Sequence, residues 1–365
     1  MAKTKNIYMA GPLGPMGGGM LRVTDYLIQN QNTQACYGSA RMVKLDTRGT
    51  GSAAASMLVL GAAIGRVVGD RLTGKVAGVH VNMAERLSIF RKGILLNVSR
   101  LIGVPTVLHL HAAQMESHYQ SLSPLRRFLI RRVFHAATHV IVLGENSRRF
   151  VVERMDVPAE RVSIVINGVP APRLPRRPES AHGKKRILFL ANLWERKGAG
   201  DLIEAMALCR FDPAEVELLI AGGGDIDLYR AQSTRLGLDA VVHFLGWVEQ
   251  NRAAELMASA DVMILPSHDE GLPLSILEAL ANSVAVICTP VGEIPTVLDD
   301  GVNAVFVNPH DVPGIAAALQ KVMDDPALRT RLEAAGRNAY ENRFSLEHFS
   351  AQVAKVHNAS FRLSN

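Results

Sequence analysis

Two glutamates in the second half of the chain carry side chains suited to binding hydroxyl groups. Glu270 and Glu278 are separated by seven residues, and ionised carboxylates accept hydrogen bonds from hydroxyls. The apolar run 262–265 ends at a proline and predicts a buried strand, whereas apolar residues recur at helical spacing from Leu274 onward. Glu270 is therefore predicted in a strand-to-helix loop, with Glu278 about one and a half turns into the helix.

The place of this pair in a sheet decides what it can bind. In open α/β sheets, ligands bind beyond the carboxyl ends of the strands, and the loop after 262–265 lies at such an end. Pro273 suits the first turn of the helix, whose backbone amides can receive an anion. The spacing alone also fits an ordinary surface glutamate and an ordinary helix-face glutamate. The preceding strand, the Glu-Gly pair and the Glu-Ala pair together favour a binding site.

Strands and helices alternate along the whole chain. Predicted strands cover 6–10, 42–45, 76–81, 106–110, 140–143 and 162–166, and then 186–190, 218–221, 242–245, 262–265 and 284–288. This alternation predicts parallel, doubly wound sheets. The length of 365 residues suggests two domains. We expect a first domain at 1–170, a proline-rich charged linker at 171–184, a second domain at 185–343 and a final segment at 344–365.

Two other loops follow predicted strands and precede predicted helices. The first, 11–19, is rich in glycine, and Gly18 and Gly19 would allow a ligand to approach the backbone before a helix at 20–28. The second, 191–198, contains Arg196 and Lys197, and cations offset the charge that develops on a leaving phosphate. Both loops are therefore candidate parts of an anion site.

A pair of histidines ends the predicted strand 106–110. His109 and His111 point to the same face of an extended strand, and His111 stands at its carboxyl end. Two histidines can bind a metal, but no carboxylate or third ligand accompanies them nearby in the sequence. We therefore predict no metal here and interpret His109 as structural.

The charge is distributed unevenly between the two halves. Residues 1–172 carry 21 Lys/Arg against 9 Asp/Glu, whereas residues 173–365 carry 19 against 25. A basic first half suggests an anionic partner, such as a phospholipid surface, a lipid diphosphate or nucleic acid, unless the charge serves only solubility. No recognisable reader motif accompanies this charge, so we do not expect nucleic acid.

Two stretches of the first half bear on membranes. Residues 53–65 are apolar but end at Arg66, so they predict a buried core helix too short to span a bilayer. Residues 125–133 predict a basic amphipathic helix with Ile130 on its basic side, and such a helix lies on an anionic membrane or packs on its own domain. Its arginines are Arg126, Arg127, Arg131 and Arg132, and the other apolar residues are Leu125, Phe128, Leu129 and Val133.

Cysteine usage indicates the compartment. Cys36, Cys209 and Cys288 are odd in number and lack paired spacing, which argues against a disulfide framework or a zinc site. The first residues show no secretory apolar region. We therefore expect a reducing, cytoplasmic location, extended to the inner face of the plasma membrane if the basic helix binds lipid.

The Glu-x7-Glu motif with its Glu-Gly and Leu-Glu-Ala surroundings resembles the retaining glycosyltransferases of the GT-B class, family 4. Gly18-Gly19 followed by Arg22 is similar to the family's N-terminal glycine loop, and Asn167-Gly168-Val169 to its junction. The resemblance implies two Rossmann-like domains facing across a cleft, with the C-terminal helix crossing back to the first domain. It departs at Asn192, where the family usually has arginine, and Arg196 of the same loop is the candidate replacement.

The resemblance also implies a role for each matching residue. Glu270 and His111 would contact the transferred sugar, Lys197 and Arg196 the donor diphosphate, and Glu278 the ribose. The remaining donor-binding residues would be Asn192, Gly271, Leu272, Pro273, Leu274, Gly18, Gly19, Trp247 and Val248. The implied donor is a UDP- or GDP-sugar, the acceptor a glycan or polyprenyl-linked oligosaccharide of bacterial polysaccharide biosynthesis. No metal and no cofactor are expected, since the leaving phosphate itself accepts the proton.

Other interpretations stay open. In the other major glycosyltransferase fold, an Asp-x-Asp motif binds a divalent metal, but Asp225 and Asp227 stand at a predicted helix start, which favours capping. A sugar-nucleotide epimerase or a phosphorylase would share the fold, although no lysine suited to a pyridoxal cofactor is recognisable. The departure at Asn192 leaves room for a non-catalytic, transferase-like subunit that binds a membrane.

Overall fold

The computed structural model describes residues 4–13, 18–31, 40–112, 114–176 and 183–363. The chain divides into two compact units, one comprising Met1–Gly168 with Leu346–Asn365 and the other Val169–Ser345. Cys36 and parts of the first glycine loop and of the predicted linker lie outside the described residues.

The first unit is built on a six-stranded sheet. Its strands are β1 (Lys5–Gly11), β2 (Ala40–Asp46), β3 (Val76–Met83), β4 (Thr106–Leu110), β5 (His139–Val142) and β6 (Val162–Ile164). The order is β2-β1-β3-β4-β5-β6, and every pairing is parallel. The helices are α1 (Gly19–Asn30), α2 (Ala53–Leu72), α3 (Leu87–Leu101), α4 (Met115–Gln120), α5 (Pro124–Ala136) and α6 (Glu145–Glu153).

The second unit repeats this architecture. Its strands are β7 (Lys185–Leu190), β8 (Val216–Ala221), β9 (Val242–Gly246), β10 (Val262–Leu265), β11 (Ala285–Cys288) and β12 (Val305–Phe306). The order is β12-β11-β10-β7-β8-β9, again with parallel pairings. Counted within the unit, this is the 3-2-1-4-5-6 order of dinucleotide-binding sheets. The helices are α7 (Ala199–Cys209), α8 (Ile226–Arg235), α9 (Gln250–Ser259), α10 (Leu274–Ala281), α11 (Ile294–Val297), α12 (Val312–Asp324) and α13 (Pro326–Ala339).

The central strands are short and apolar because helices cover both faces of a parallel sheet. All four residues of β10 are buried, as are all four of β11. Helix starts follow local chemistry: the Asp311 and Asp325 carboxylates accept the amides of Gly314 and Leu328 at 2.9 and 2.8 Å, which begins α12 and α13. The predicted class of two doubly wound parallel sheets is confirmed.

The last helix, α14 (Leu346–Phe361), packs against α1 and β4 of the first unit. Its Phe361 ring occupies the space that a Cβ at Gly78 of β3 would need. A side chain at position 78 would therefore push α14 off the sheet.

The apolar helix predicted at 53–65 differs from the expectation of a buried core helix. Arg66 does not end it: the helix continues to Leu72, and the Arg66 guanidinium donates to the Tyr8 hydroxyl at 3.1 Å. Its buried residues form a single stripe, namely Ser56, Leu60, Ala63 and Val67. By length and composition alone, α2 is apolar enough to cross a membrane, and 22% of its apolar window is buried inside the protein.

Candidate active site

The sheet of the second unit has its topological switch point between β7 and β10. The chain leaves β7 towards β8 on one side and later returns to place β10 on the other. The loops after these two strands, 191–198 and 266–273, therefore begin at neighbouring carboxyl ends. Such a crevice is where ligands bind in open sheets. It contains two of the loops that the sequence predicted as binding loops, namely the Lys197 loop and the Glu270 loop.

Three glycines let the backbones of this rim approach closely. A Cβ at Gly198, which has φ +70°, would overlap the Pro266 carbonyl, and one at Gly222 would overlap the Ala191 carbonyl. A Cβ at Gly292, with φ +60°, would overlap the carbonyl of Glu270. Glycine is required at 198 and 292 on two counts, since L side chains rarely adopt positive φ.

The Glu270 carboxylate lies at the centre of this rim and is buried. Lys197 Nζ donates to Glu270 Oε1, and the Ser267 hydroxyl donates to the same oxygen at 2.9 Å. The two charged side chains are only 13% and 8% exposed. A buried charge requires an opposite charge or hydrogen bonds, and the two side chains of this pair supply them to each other.

The Glu270 loop is fixed from both flanks. The Glu293 amide donates to the Gly271 carbonyl at 2.9 Å, and the Thr289 hydroxyl donates to the Ser267 carbonyl. The His268 amide donates to the Arg196 carbonyl at 2.8 Å, which joins the loop to 191–198. The loop therefore holds Glu270 in a defined place before any ligand arrives.

Arg196 lies on the same loop as Lys197. Its guanidinium donates to the Asp269 carbonyl at 3.3 Å and is 5.5 Å from the ring centre of Trp194. Asn192 is exposed, and its side-chain oxygen would lie 3.7 Å from a Cβ at Gly223. Arg196 thus places a second cation beside Lys197, in contact with the Glu270 loop.

The stretch from Gly271 to Leu274 leads into α10. Pro273 has φ −66° and ψ +130° and is the residue immediately before the helix, not a residue of the first turn as predicted. A proline that lacks an N–H is tolerated there as well. Leu272 and Leu274 are buried, so this stretch offers backbone amides rather than polar side chains.

Glu278 occupies the fifth position of α10 and is partly buried. Its neighbours Leu277 and Ala279 are buried, as are most residues of the helix. The carboxylate therefore stands on a helix that is otherwise packed into the second unit.

Trp247 and Val248 follow β9, the edge strand of the sheet. Trp247 is 55% exposed, and its Cβ would lie 3.9 Å from a Cβ at Gly223 in the loop after β8. Val248 is partly buried. Asn192 and Trp247 thus flank the same glycine, which extends the rim across the ends of β7, β8 and β9.

The Asp-x-Asp motif lies at the start of α8. Asp225 is the residue that precedes the helix, although its side chain forms no capping hydrogen bond to the backbone. Asp227 is in the first turn and pairs with Arg230 at 2.8 Å. Acidic residues in a first turn interact favourably with the helix dipole, which accounts for Asp227. The predicted capping role of Asp225 is wrong, because its side chain does not bond to the backbone of the first turn.

In the first unit, His111 begins the loop after β4. Its Nε2 lies 2.9 Å from Asn82 Oδ1, and its amide donates to the Met83 carbonyl at 2.8 Å. Burial lowers the pKa of His111 to about 3, and nearby His80 and Lys92 act in the same direction. His111 is therefore a neutral imidazole, suited to a hydroxyl rather than to an anion.

Gly18 precedes α1 and Gly19 is its first residue. The Gly18 carbonyl accepts the amides of Leu21 and Arg22 at 3.0 and 3.3 Å. Among the described residues, no atom lies within 4 Å of a Cβ built at Gly18. Within the described part of the chain, Gly18 therefore borders open space at the start of α1.

The sequence did not reveal a buried polar cluster beneath His111. His80 Nδ1 lies 2.8 Å from His357 Nε2 of α14, and His80 Nε2 lies 3.2 Å from His109 Nδ1. Burial lowers the pKa of His80 to about 3 and that of His109 well below 6.5. A neutral imidazole has one donor and one acceptor nitrogen, so neutral rings can form this chain, with His80 donating from one nitrogen and accepting at the other.

The residues by which the basic helix α5 contacts the core differ from those predicted. Ile130 is fully buried rather than on the basic side, and Val133 and Phe134 are buried with it, following the i, i+3, i+4 spacing. Leu125 and Phe128 are instead 68% and 55% exposed among the arginines. Arg127 donates to the carbonyls of Tyr119 and Gln120, and Arg131 to that of Arg154.

The first comparison with known proteins concerns the fold. HepE of Anabaena, solved in complex with UDP and glucose, is similar over 97% of this chain and 100% of that chain, with a TM-score of 0.77 and 18% identity. This likeness establishes the fold alone, and the predicted GT-B class is confirmed.

The family follows from two matches. Residues 171–339 match the family model described as "Glycosyl transferases group 1", and residues 40–168 match "Glycosyl transferase 4-like domain". The two matches together span most of the chain. The chain therefore belongs to the group 1 glycosyltransferases.

Two relatives illustrate the range of the family. Glycogen synthase of Mycobacterium tuberculosis is 26% identical over 277 residues, which are 73% of this chain and 66% of the synthase. Phosphatidyl-myo-inositol mannosyltransferase of the same organism is 33% identical over 229 residues, 60% of this chain and 58% of the transferase. The match thus spans about two thirds or less of each relative's own length.

Proposed function

We propose that this chain is a retaining glycosyltransferase that moves a sugar from a UDP- or GDP-linked donor to a hydroxyl of a glycan or lipid-linked acceptor. The observation that carries the proposal is the Lys197–Glu270 pair at the switch point of the second unit. A cation and a carboxylate, both held by fixed loops, match the diphosphate and the attached sugar of a nucleotide-diphosphate sugar.

The cations of the rim bind the diphosphate. Lys197 exchanges its contact with Glu270 for a phosphate oxygen when the donor enters, and Arg196 supplies a second charge. The amides at the start of α10 add hydrogen-bond donors to the same anion. These groups stabilise the charge that develops on the leaving phosphate. The leaving phosphate accepts the proton of the attacking hydroxyl, so the transfer needs no metal and no protein nucleophile.

The carboxylates hold hydroxyl groups. Once Lys197 has turned to the phosphate, the Glu270 carboxylate accepts hydrogen bonds from the transferred sugar, and Ser267 keeps it in place. Glu278 accepts the ribose hydroxyls, and Trp247 and Val248 border the base. Neutral His111 contacts a sugar hydroxyl. Asn192, Gly271, Leu272, Pro273, Leu274, Gly18 and Gly19 shape the donor site.

The named relatives and neighbours support this class of substrate. HepE was solved with UDP and glucose, and the two relatives are a glycogen synthase and a mannosyltransferase of a phosphoinositide. A polyprenyl-linked acceptor in bacterial polysaccharide synthesis fits the basic first unit. The location proposed is cytoplasmic, at the inner face of the plasma membrane.

Membrane contact is proposed at α5. Its exposed Leu125, Phe128 and Leu129 stand among arginines, and apolar side chains beside cations bind anionic bilayers. Arg126 and Arg132 are the cations proposed to meet lipid, since Arg127 and Arg131 already donate to backbone carbonyls.

The transfer activity is tested by incubating the protein with a panel of UDP- and GDP-sugars and polyprenyl-linked acceptors. We expect nucleotide release from one donor, accelerated by one acceptor, with the product keeping the donor's anomeric configuration by NMR. An inverted product would contradict the retaining mechanism. A protein that binds nucleotides and releases none from any donor would be a binding subunit.

A further inference from the structure

A second cluster of chemically active side chains lies on the outer side of the Glu270 loop. Asp201 is in the first turn of α7, His268 is in the loop after β10, and His310 is in the turn between β12 and α12. One ligand atom from each lies within 4.8 Å of the other two. Asp201 Oδ2 is 2.7 Å from His268 Nε2 and 3.7 Å from His310 Nδ1.

These distances are near those that a shared metal ion demands. Bonds of about 2.0–2.2 Å from zinc to imidazole nitrogen or carboxylate oxygen place two tetrahedral ligands roughly 3.3–3.6 Å apart. The Asp201–His310 separation of 3.7 Å meets this demand, and the hydrogen-bonded Asp201–His268 contact has to open by less than about 1 Å.

His310 has the freedom to complete the set. Its side chain is 67% exposed, and its ring stacks on that of His268 with centroids 3.6 Å apart. Two imidazoles on one ion point away from each other, so His310 has to turn outward on binding, which its exposure permits. His268 and Asp201 are only 15% and 21% exposed and need little movement.

The backbone at His310 gives a second reason to look for a role. It has φ +63°, a conformation that glycine adopts more readily than a residue with a Cβ. Unfavourable backbone conformations persist where a side chain is needed. Here the backbone conformation of residue 310 places the His310 imidazole beside the Asp201 carboxylate and the His268 ring.

We propose that Asp201, His268 and His310 bind one divalent transition-metal ion, with Zn²⁺ as the type. Two imidazoles and a carboxylate suit zinc and its neighbours and disfavour Mg²⁺ and Ca²⁺. The ion joins α7, the Glu270 loop and the turn before α12. Because the His268 amide is bonded to the Arg196 carbonyl at 2.8 Å, the ion also steadies the loop that carries Lys197. It takes no part in the proposed transfer step.

The test is a calorimetric titration of the metal-free full chain with Zn²⁺, repeated by Co²⁺ absorption spectroscopy. We compare the wild type with His310→Gly, which removes the ligand and suits the backbone at φ +63°. Loss of even an outer-shell partner costs about 10–100-fold in metal affinity, so the lost ligand weakens the site at least about tenfold. Asp201→Asn is expected to do the same.

His243→Ala is the matched control. This histidine is 39% exposed, lies 3.9 Å from Glu217 and is not part of the cluster. It should leave the affinity and the Co²⁺ spectrum unchanged, whereas the wild type, but not His310→Gly, should gain thermal stability with Zn²⁺. Equal Zn²⁺ affinity in the wild type, His310→Gly and Asp201→Asn would overturn the assignment. So would a wild type that binds no Zn²⁺.

Discussion

Each unit is built on a six-stranded parallel sheet, and the two sheets differ in the side chains at the carboxyl ends of their strands. In the second unit, the ends of β7 and β10 present an ionised pair, Lys197 and Glu270, with little exposure. In the first, the carboxyl ends of β3 and β4 present His111 against Asn82 Oδ1, and burial lowers the pKa of this imidazole to about 3. The second sheet thus presents an ion pair at its rim, and the first presents a neutral imidazole.

The difference assigns different chemistry to the two sheets. An ionised lysine meets a diphosphate, and an ionised carboxylate meets hydroxyls. A neutral imidazole exchanges hydrogen bonds with a hydroxyl without adding charge. The second unit is thus suited to the charged donor, and the first to the neutral parts of the reactants. Substitutions in each unit test this difference.

The largest effect is expected from Glu270→Gln. The amide keeps the shape and an acceptor for Ser267 but loses the charge, so sugar turnover should fall by at least about 100-fold, as for loss of one strong transition-state contact. Steady-state nucleotide release from the active donor measures this.

Glu217→Gln is the matched control for that measurement. Glu217 is 14% exposed, pairs with Arg186 and stands near the amino end of β8, away from the rim. Its turnover should stay within about twofold of the wild type. Equal losses in both variants would show that any broken ion pair in this unit disturbs activity.

Lys92→Met tests the cost of charge in the first unit. Lys92 is 1% exposed, and burial lowers its pKa to about 7, with Arg91 and Arg48 contributing. Below pH 7 the folded state carries the full free-energy cost of burying a charged ammonium group. This cost decreases as pH rises to 10.5, because the folded state has lost the proton and only the unfolded state still binds it. Methionine should therefore raise the free energy of unfolding at pH 7 by on the order of 3 kcal/mol, measured by urea titration.

The control is Lys44→Met. Lys44 is 43% exposed and pairs with Asp25, so its loss should change stability by under about 1 kcal/mol. A destabilised Lys92→Met would show that the bond from Lys92 to the Asn82 carbonyl outweighs the buried charge.

Acid should unfold the first unit through its histidines. The folded pKa values of His80 and His111 are about 3, below the unfolded 6.5, so the unfolded state binds more protons in between. Their contribution is complete above pH 6.5 and is lost as pH falls towards 3. Between pH 6.5 and pH 3, each such histidine lowers the free energy of unfolding by about 1.4 kcal/mol for every unit by which the pH falls. Unfolding temperature against pH checks the slope.

His109→Leu should make this pH dependence shallower by about one bound proton, because it removes one buried imidazole. His348→Leu, on the same α14 as His357 but itself exposed, is the control and should leave the slope unchanged. A wild-type slope that does not increase below pH 6.5 would contradict the neutral cluster.

The smallest effect is expected at the proposed membrane surface. Phe128→Ser should weaken co-sedimentation with anionic vesicles several-fold, because an apolar side chain that is only partly buried contributes about 1 kcal/mol. Leu208→Ser of α7, at 54% exposure, is the control and should bind as the wild type does. Equal binding by all three proteins would remove α5 from the membrane contact.

Local patterns predicted the sheets well. The predictions for β4, Thr106–Leu110, and β10, Val262–Leu265, match the structure residue for residue, and the other predicted strands shift by one or two residues at their ends. Apolar runs bounded by turns are local signals. The helices were harder: α2 continues past Arg66, whose contact with Tyr8 joins residues 58 apart in the sequence.

The sequence predicted where the site residues lie in the fold, but it did not predict which of them are in contact. Sequence placed Glu270 and Lys197 at strand ends, yet their ion pair joins residues 73 apart. The overlap that a Cβ at Gly292 would make with the Glu270 carbonyl joins residues 22 apart. The cluster of His80, His109, His111 and His357 needs α14 beside β3, and no spacing along the chain encodes that. The predicted face of α5 was wrong because α5 packs on α3, where Val133 lies against Gly93.

The central claim is that Lys197 serves the nucleotide and Glu270 the sugar. Calorimetric titration of UDP and GDP into the wild type, Lys197→Met and Glu270→Gln separates the two roles, with unfolding temperatures confirming that each variant is folded. We predict that Lys197→Met weakens nucleotide binding at least about tenfold, the loss of a charged hydrogen bond. Glu270→Gln should bind the nucleotide as tightly as the wild type or more so, since Lys197 is released. Equal weakening in both folded variants, or none in Lys197→Met, would contradict the account.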